Sequence, residues 1–235
     1  MRTLYQSMAG LIAVAVVSVS SPAAAETEFE VGGRFGFGIP FGKVSDDGDD
    51  NELNKAIAVQ FPLMLDIGAR IGGRTFVGGY LGFGLGVPGE DIRDTCDDLD
   101  DINGVEVSCA AFDLRLGVQA HYHFQDRGNT DPWIGGGLGY EWGGWGFSAE
   151  SDDSDIDVTA SAGGMEFLNL QGGIDFPLSE LATIGPFLMF TIGRFDRTKV
   201  ECSGDCEDVI EFDDDIEEKA LHNWLMVGGR ITFFP

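Results

Sequence analysis

Apolar residues recur at every second position in separate runs along the chain. The first run, FEVGGRFGFGIPF, places Phe29, Val31, Gly33, Phe35, Phe37, Ile39 and Phe41 on one side and Glu30, Gly32, Arg34, Gly36, Gly38 and Pro40 on the other. A period of two belongs to an extended strand with one apolar face. The pattern predicts eight strands, over Phe29–Phe41, Ala56–Ile71, Thr75–Val87, Ala111–Phe124, Trp133–Phe147, Gly164–Phe176, Ile184–Phe195 and Leu221–Phe233. The seventh is apolar on both faces, which leaves its register open. Helix caps and helical periodicity are scarce, so the expectation is all-β.

The connections alternate in length. Gly72–Arg74, Gln125–Pro132 and Pro177–Thr183 are short; Gly42–Lys55, Pro88–Ala110, Ser148–Ala162 and Asp196–Ala220 are long. The long four hold 29 of the chain's 40 acidic residues and 6 basic ones. Short turns at one end and long loops at the other are the pattern of an outer-membrane barrel.

The less apolar strand face sharpens this reading. It is mostly glycine, with Glu30, Asp66, Asp113, Glu141 and Asp175 beside Arg34, Arg70, Arg115 and Arg230. A sheet facing water would carry more lysine and threonine. A narrow lumen holds small residues and a few paired charges, while the aromatic-rich face meets lipid, where only a helix or a closed barrel satisfies its backbone. Each run is long enough for the roughly 9–11 tilted residues that a bilayer requires.

The start of the chain agrees. Arg2 precedes the apolar run Ala9–Ser20 and the small residues Ala23-Ala24-Ala25, the layout of a secretory signal peptide cleaved before Glu26. The expected division is a leader over residues 1–25 and one barrel domain over 26–235. The formal charge of −26 becomes −27 without Arg2, which argues against nucleic acid as a partner. Four cysteines in an exported chain favour disulfides. Cys96 and Cys109 lie in the second long connection and Cys202 and Cys206 in the fourth, so local pairs are expected.

On these features the chain resembles the small outer-membrane β-barrel proteins of Gram-negative bacteria, the group containing the OmpA transmembrane domain, OmpX and OmpW-type proteins. The resemblance is carried by the leader, the eight alternating strands and the ending VGGRITFFP. It implies a closed antiparallel eight-stranded transmembrane barrel, with short turns and both termini in the periplasm and the long acidic loops outside the cell. Leu225, Val227, Ile231 and Phe233 match the C-terminal signal read by the barrel-assembly machinery; Phe234 and Pro235 extend beyond it.

Candidate sites follow. The lumen charges are either a salt-bridge network filling a narrow barrel or a gated ion path, which the inward glycines keep open. His121 and His123 are expected inward near the short-turn end of the fourth strand, and His222 near the opposite end of the eighth. A lipid A-modifying enzyme would need a nucleophile and base within hydrogen-bond reach. Ser148, Ser161 and Glu166 are expected near that outer rim, but no local motif ties them to His222. Acidic clusters contain Asp97, Asp98, Asp153, Asp155, Asp157, Asp213, Asp214 and Asp215, which could bind divalent cations weakly or simply be solvated. A full calcium loop is not completed: Val158 stands where glycine is needed and Gly164 where glutamate is needed. The expected role is structural or surface-interacting, without catalysis or cofactor, with outer-membrane lipid and the assembly machinery as partners. The alternatives are a narrow channel for small solutes and, second, the lipid-modifying enzyme.

Overall fold

The computed structural model describes residues 26–46, 51–100, 105–151, 155–204 and 212–235. The leader lies outside them, as do Asp153 and Cys206. The strands are β1 (Thr27–Gly42), β2 (Ile57–Ile71), β3 (Thr75–Pro88), β4 (Val105–His123), β5 (Asp131–Ser151), β6 (Asp155–Ser179), β7 (Ala182–Gly204), β8 (Phe212–Asp215) and β9 (His222–Phe233), with helices α1 (Leu53–Ala56) and α2 (Glu90–Asp100).

All strand pairings are antiparallel. The order β1-β2-β3-β4-β5-β6-β7-β9 returns to β1, through pairs such as Val31↔Phe233 and Gly42↔His222, and closes a ring of eight. The short β8 stands outside this ring, on the upper part of β7 from Arg197 to Val200. Ring closure leaves no open edge at the level of the apolar band, which is what a backbone in hydrocarbon requires. Among the described residues no helix is long and apolar enough to cross a membrane.

The alternation is inside-out relative to a water-soluble protein. Phe35, Leu63, Leu116 and Val118 are 55–66 % exposed, whereas Glu30, Arg34, Asp66 and Arg230 are fully buried. The open register of the seventh run resolves here. Ile184 and Leu188 point out; Phe187, Met189 and Phe195 point in. The turn between β2 and β3 needs Gly72 and Gly73, at φ 61° and 71°, because both central positions of such a hairpin have positive φ.

Three expectations about the long connections need correction. Ser148–Ala162 is mostly strand: β5 runs to Ser151 and β6 starts at Asp155. The alternation continues past the lipid band, with Ile156, Val158, Ala160, Val200 and Cys202 in the inward register, while the acids between them reach water. Part of Asp196–Ala220 likewise forms the end of β7 and all of β8. In Pro88–Ala110 the structure has the helix α2. Ile92, Cys96 and Leu99, spaced four and three apart, share its half-buried side, and Glu90 and Asp91 occupy its first turn, where acids complement the helix dipole. Cys96 is disulfide-bonded to Cys109 on β4. Cys202 is also in a disulfide; Cys206, expected to pair with it, lies outside the described residues. Leu53, Ala56 and Ile57 of α1 and early β2 join Ile216 in the buried apolar cluster, against which Val44 and Trp145 pack.

Candidate functional site

The lumen contains three layers of charge, each built around arginine. At the short-turn end Arg70 and Arg230 share Glu30: Arg70 Nε donates to Glu30 Oε2 and Arg230 Nη2 to Glu30 Oε1, both at 2.8 Å. Arg230 also reaches Asp175 at 3.1 Å, and His123 Nδ1 lies 2.7 Å from Asp131. In the middle, Arg34 donates to Asp66 and to Gln171, both at 2.6 Å, and Gln119 bridges to Asp66 at 2.8 Å. At the long-loop end Arg115 is ringed by Asp113 at 2.7 Å, Glu141 at 2.9 Å and Glu166 at 2.8 Å. Glu166 also accepts from Tyr80 Oη at 2.6 Å, and Glu141 from Trp224 Nε1 at 2.7 Å.

Each of these arginines has an aromatic face as well. The guanidinium carbons lie 5.6 Å from the Phe187 ring centre (Arg34), 5.0 Å from Phe234 (Arg70), 5.2 Å from Trp224 (Arg115) and 4.6 Å from Trp133 (Arg230). Acceptors in the guanidinium plane and a ring over its face suit a dry interior, although Nε of Arg34 and of Arg230 is buried without a partner. The partners come from different strands, so each arginine crosslinks the wall of the barrel. Removing one member of such a buried set typically costs about 3–5 kcal/mol.

The structure brings all nine expected lumen charges together and adds two that the sequence reading placed elsewhere. Asp131, expected in a turn, opens β5 and is 3 % exposed. Glu166, expected near the outer rim, is fully buried beside Arg115. The reason is a β-bulge: Glu166 pairs with Gly193 and Leu168 with Ile192, so Phe167 is an extra residue and the faces swap across it. Phe167 and Leu168 both point outward, 46 % and 37 % exposed.

Several inward glycines form bays that aromatic rings occupy. A Cβ at Gly68 or Gly78 would come within 2.7 Å and 2.6 Å of the Phe76 ring, and one at Gly117 within 2.5 Å of Tyr80. His121 lies stacked between Phe76 and Trp133, with ring centres 4.9 Å and 4.8 Å away. At these positions the glycines are sockets for rings.

The remaining candidates are spread out. His222 Nε2 lies 3.1 Å from Glu141 Oε2, and its ring stacks on Phe195 at 4.1 Å. Ser148 donates to Asp157, and Ser161 donates to the carbonyl of Lys199 at 3.5 Å; Glu166 is held by Tyr80 and Arg115. Ser148, Ser161 and His222 are thus not assembled into a nucleophile–base pair. Asp97 and Asp98 lie on α2, Asp157 on β6, and Asp213, Asp214 and Asp215 on β8, where Asp215 pairs with Arg197 at 3.4 Å; Asp155 begins β6. Among the described residues no group of three or more His, Cys, Asp or Glu side chains is placed to hold a metal ion. At the chain's end Leu225 and Phe233 face outward, 36 % and 47 % exposed, with Val227 and Ile231 in the same register. Phe234 turns inward to 3 % exposure.

A closed eight-stranded antiparallel ring, apolar outside and filled with paired charge and aromatic rings inside, is a transmembrane β-barrel of the small outer-membrane type. No protein-family model matches the chain, and no curated protein does. A major outer membrane protein from Thermus thermophilus has a similar structure, with a TM-score of 0.51 and 14 % identity over 88 % of this chain and 100 % of that one. OprG from Pseudomonas aeruginosa matches with a TM-score of 0.46 and 13 % identity, covering 90 % of this chain and 98 % of its own. Neisserial surface protein A matches at 0.44 and 12 %, covering 89 % and 99 %. At these identities the likeness is one of fold.

Proposed function

We propose that this protein is an integral barrel of a Gram-negative outer membrane whose role is structural or surface-facing rather than catalytic or conductive. In this reading residues 1–25 direct export and are removed. Both ends of residues 26–235 face the periplasm, and the long acidic connections project outside the cell. The assembly machinery reads Leu225, Val227, Ile231 and Phe233.

The observation that supports a non-conducting barrel is the lumen itself. Four arginines tie together seven buried carboxylates, and the glycine bays between them hold rings. Ions crossing it would have to break several charge-assisted contacts in succession. A barrel closed in this way acts through its surfaces, and no cofactor enters the reading.

Purified protein in planar bilayers should show little steady conductance; a stable channel of nanosiemens size would place the narrow-porin alternative first. An epitope tag inserted within residues 46–50 should be reachable on intact cells, and one after Pro235 only after permeabilisation. The reverse result would invert the orientation.

A further inference from the structure

We propose that the outward face of β4–β6, where it leaves the apolar band, binds the ammonium group of an amine-bearing lipid headgroup. The band ends there on Phe112, Leu114, Trp142 and Met165, the last three 37–38 % exposed. Tyr140 and Trp142, with ring centres 4.4 Å apart, mark the level where aromatic girdles sit at a bilayer surface. Immediately beyond them the outward side chains of β4–β6 become small and hydroxylated. At the same end of β1–β3 the outward residues stay large, with Phe41, Phe61 and Leu85 at 46–61 % exposure.

This change opens a groove of about 150 Å³ lined by Ser108, Phe112, Gly146, Ser148, Asp157 and Thr159. Gly146 forms its floor: a Cβ there would lie 2.5 Å from the Val158 carbonyl oxygen and 3.1 Å from Thr159 Oγ1. Asp157 is the one ionised group among the lining residues, and no lysine or arginine joins it. Ser148 donates to the Asp157 carboxylate, which has further lone-pair sites to accept from an N–H donor. Ammonium complements this lining; a phosphate would meet only hydroxyls and a like charge.

Continuity with the apolar band selects a lipid over a free amine. Acyl chains lying on Leu114, Trp142 and Met165 bring their own headgroup to the level of Asp157. The inference rests on the membrane span alone, and neither the orientation nor the role proposed above enters it.

The test uses the intact barrel in detergent, incubated with equimolar phosphatidylethanolamine and phosphatidylglycerol of matched chains. Retained lipid is then counted by native mass spectrometry. The ethanolamine lipid should be retained about fivefold over the glycerol lipid, the size of one part-exposed charged contact. Asp157→Asn should bring the ratio to about one, and Ser108→Leu, which fills the groove, should do the same. Asp215→Asn, which removes a carboxylate from β8, should leave the preference intact. Gel mobility of unheated samples reports that each variant remains a folded barrel. Equal retention by the unmodified protein, or a preference that survives Asp157→Asn, overturns the proposal.

Discussion

Phe233 and Phe234 are adjacent in the chain and leave the barrel in opposite directions. Phe233 faces outward, 47 % exposed; Phe234 turns into the lumen, 3 % exposed, between the guanidiniums of Arg70 and Arg127, each 5.0 Å from its ring centre. Arg127 is itself held by Glu28 at 3.1 Å. The two directions predict separate tasks. Phe233→Ala should slow assembly and leave the stability of the finished barrel nearly unchanged. Phe234→Ala should assemble at the normal rate and unfold more easily in urea, by about 3 kcal/mol for a buried ring. Folding kinetics and equilibrium unfolding in lipid vesicles separate the two effects, and identical behaviour of both variants would refute the division.

Arg115 faces three carboxylates, so its loss should be among the most damaging single changes. Arg115→Met should destabilise the barrel by about 3–5 kcal/mol, because Asp113, Glu141 and Glu166 are left without their cation. Combined with Glu166→Gln, the loss should be less than the sum of the two single losses, by a coupling of about 1–3 kcal/mol. A double-mutant cycle by urea unfolding measures it, and additivity would show that the contact at 2.8 Å carries little energy.

Leu116 and Arg115 are neighbours on β4 that face lipid and lumen. Leu116→Arg should cost about 2–4 kcal/mol if the residue lies near the bilayer midplane. Leu116→Val should be nearly silent, since lipid adapts to shape where a packed interior does not. A silent Leu116→Arg would contradict the inside-out reading.

The Cys96–Cys109 link ties α2 to the part of β4 beyond the band. Reduction should therefore act locally. Trypsin should cut after Arg93, in α2, faster in the reduced protein than in the oxidised one. The barrel's own unfolding midpoint should move little, even though closing a loop of this length is worth about 3 kcal/mol in the unfolded chain. A large fall in the midpoint would mean that α2 supports the ring.

The architecture was legible because lipid on one side and a narrow lumen on the other impose the same alternation on every stave. The pattern in Leu114, Leu116 and Val118 needed no tertiary information. What escaped was whatever breaks or outlasts the period. Counting back from Leu168 and Leu170 sends Glu166 outward, and only the paired register reveals that Phe167 absorbs one position. The half-buried stripe Ile92, Cys96 and Leu99 was written in α2, but with three residues in an acidic stretch it was too sparse to read as a helix. The inward glycines were ambiguous for a different reason. A glycine announces the absence of its own side chain and says nothing about whose ring fills the gap, as Tyr80 does at Gly117.

The pairing of β1 with β9, which sets Val31 opposite Phe233, also orders events in time. The first stave to be synthesised waits for the last before it has both neighbours. No local hairpin can substitute for that contact, and a long chain must be gathered before it forms. A nascent chain stopped anywhere before β9 would carry two raw sheet edges, at β1 and at whichever strand came last. Keeping such a chain extended and accompanied until its end has arrived is thus a requirement written into the order of the strands.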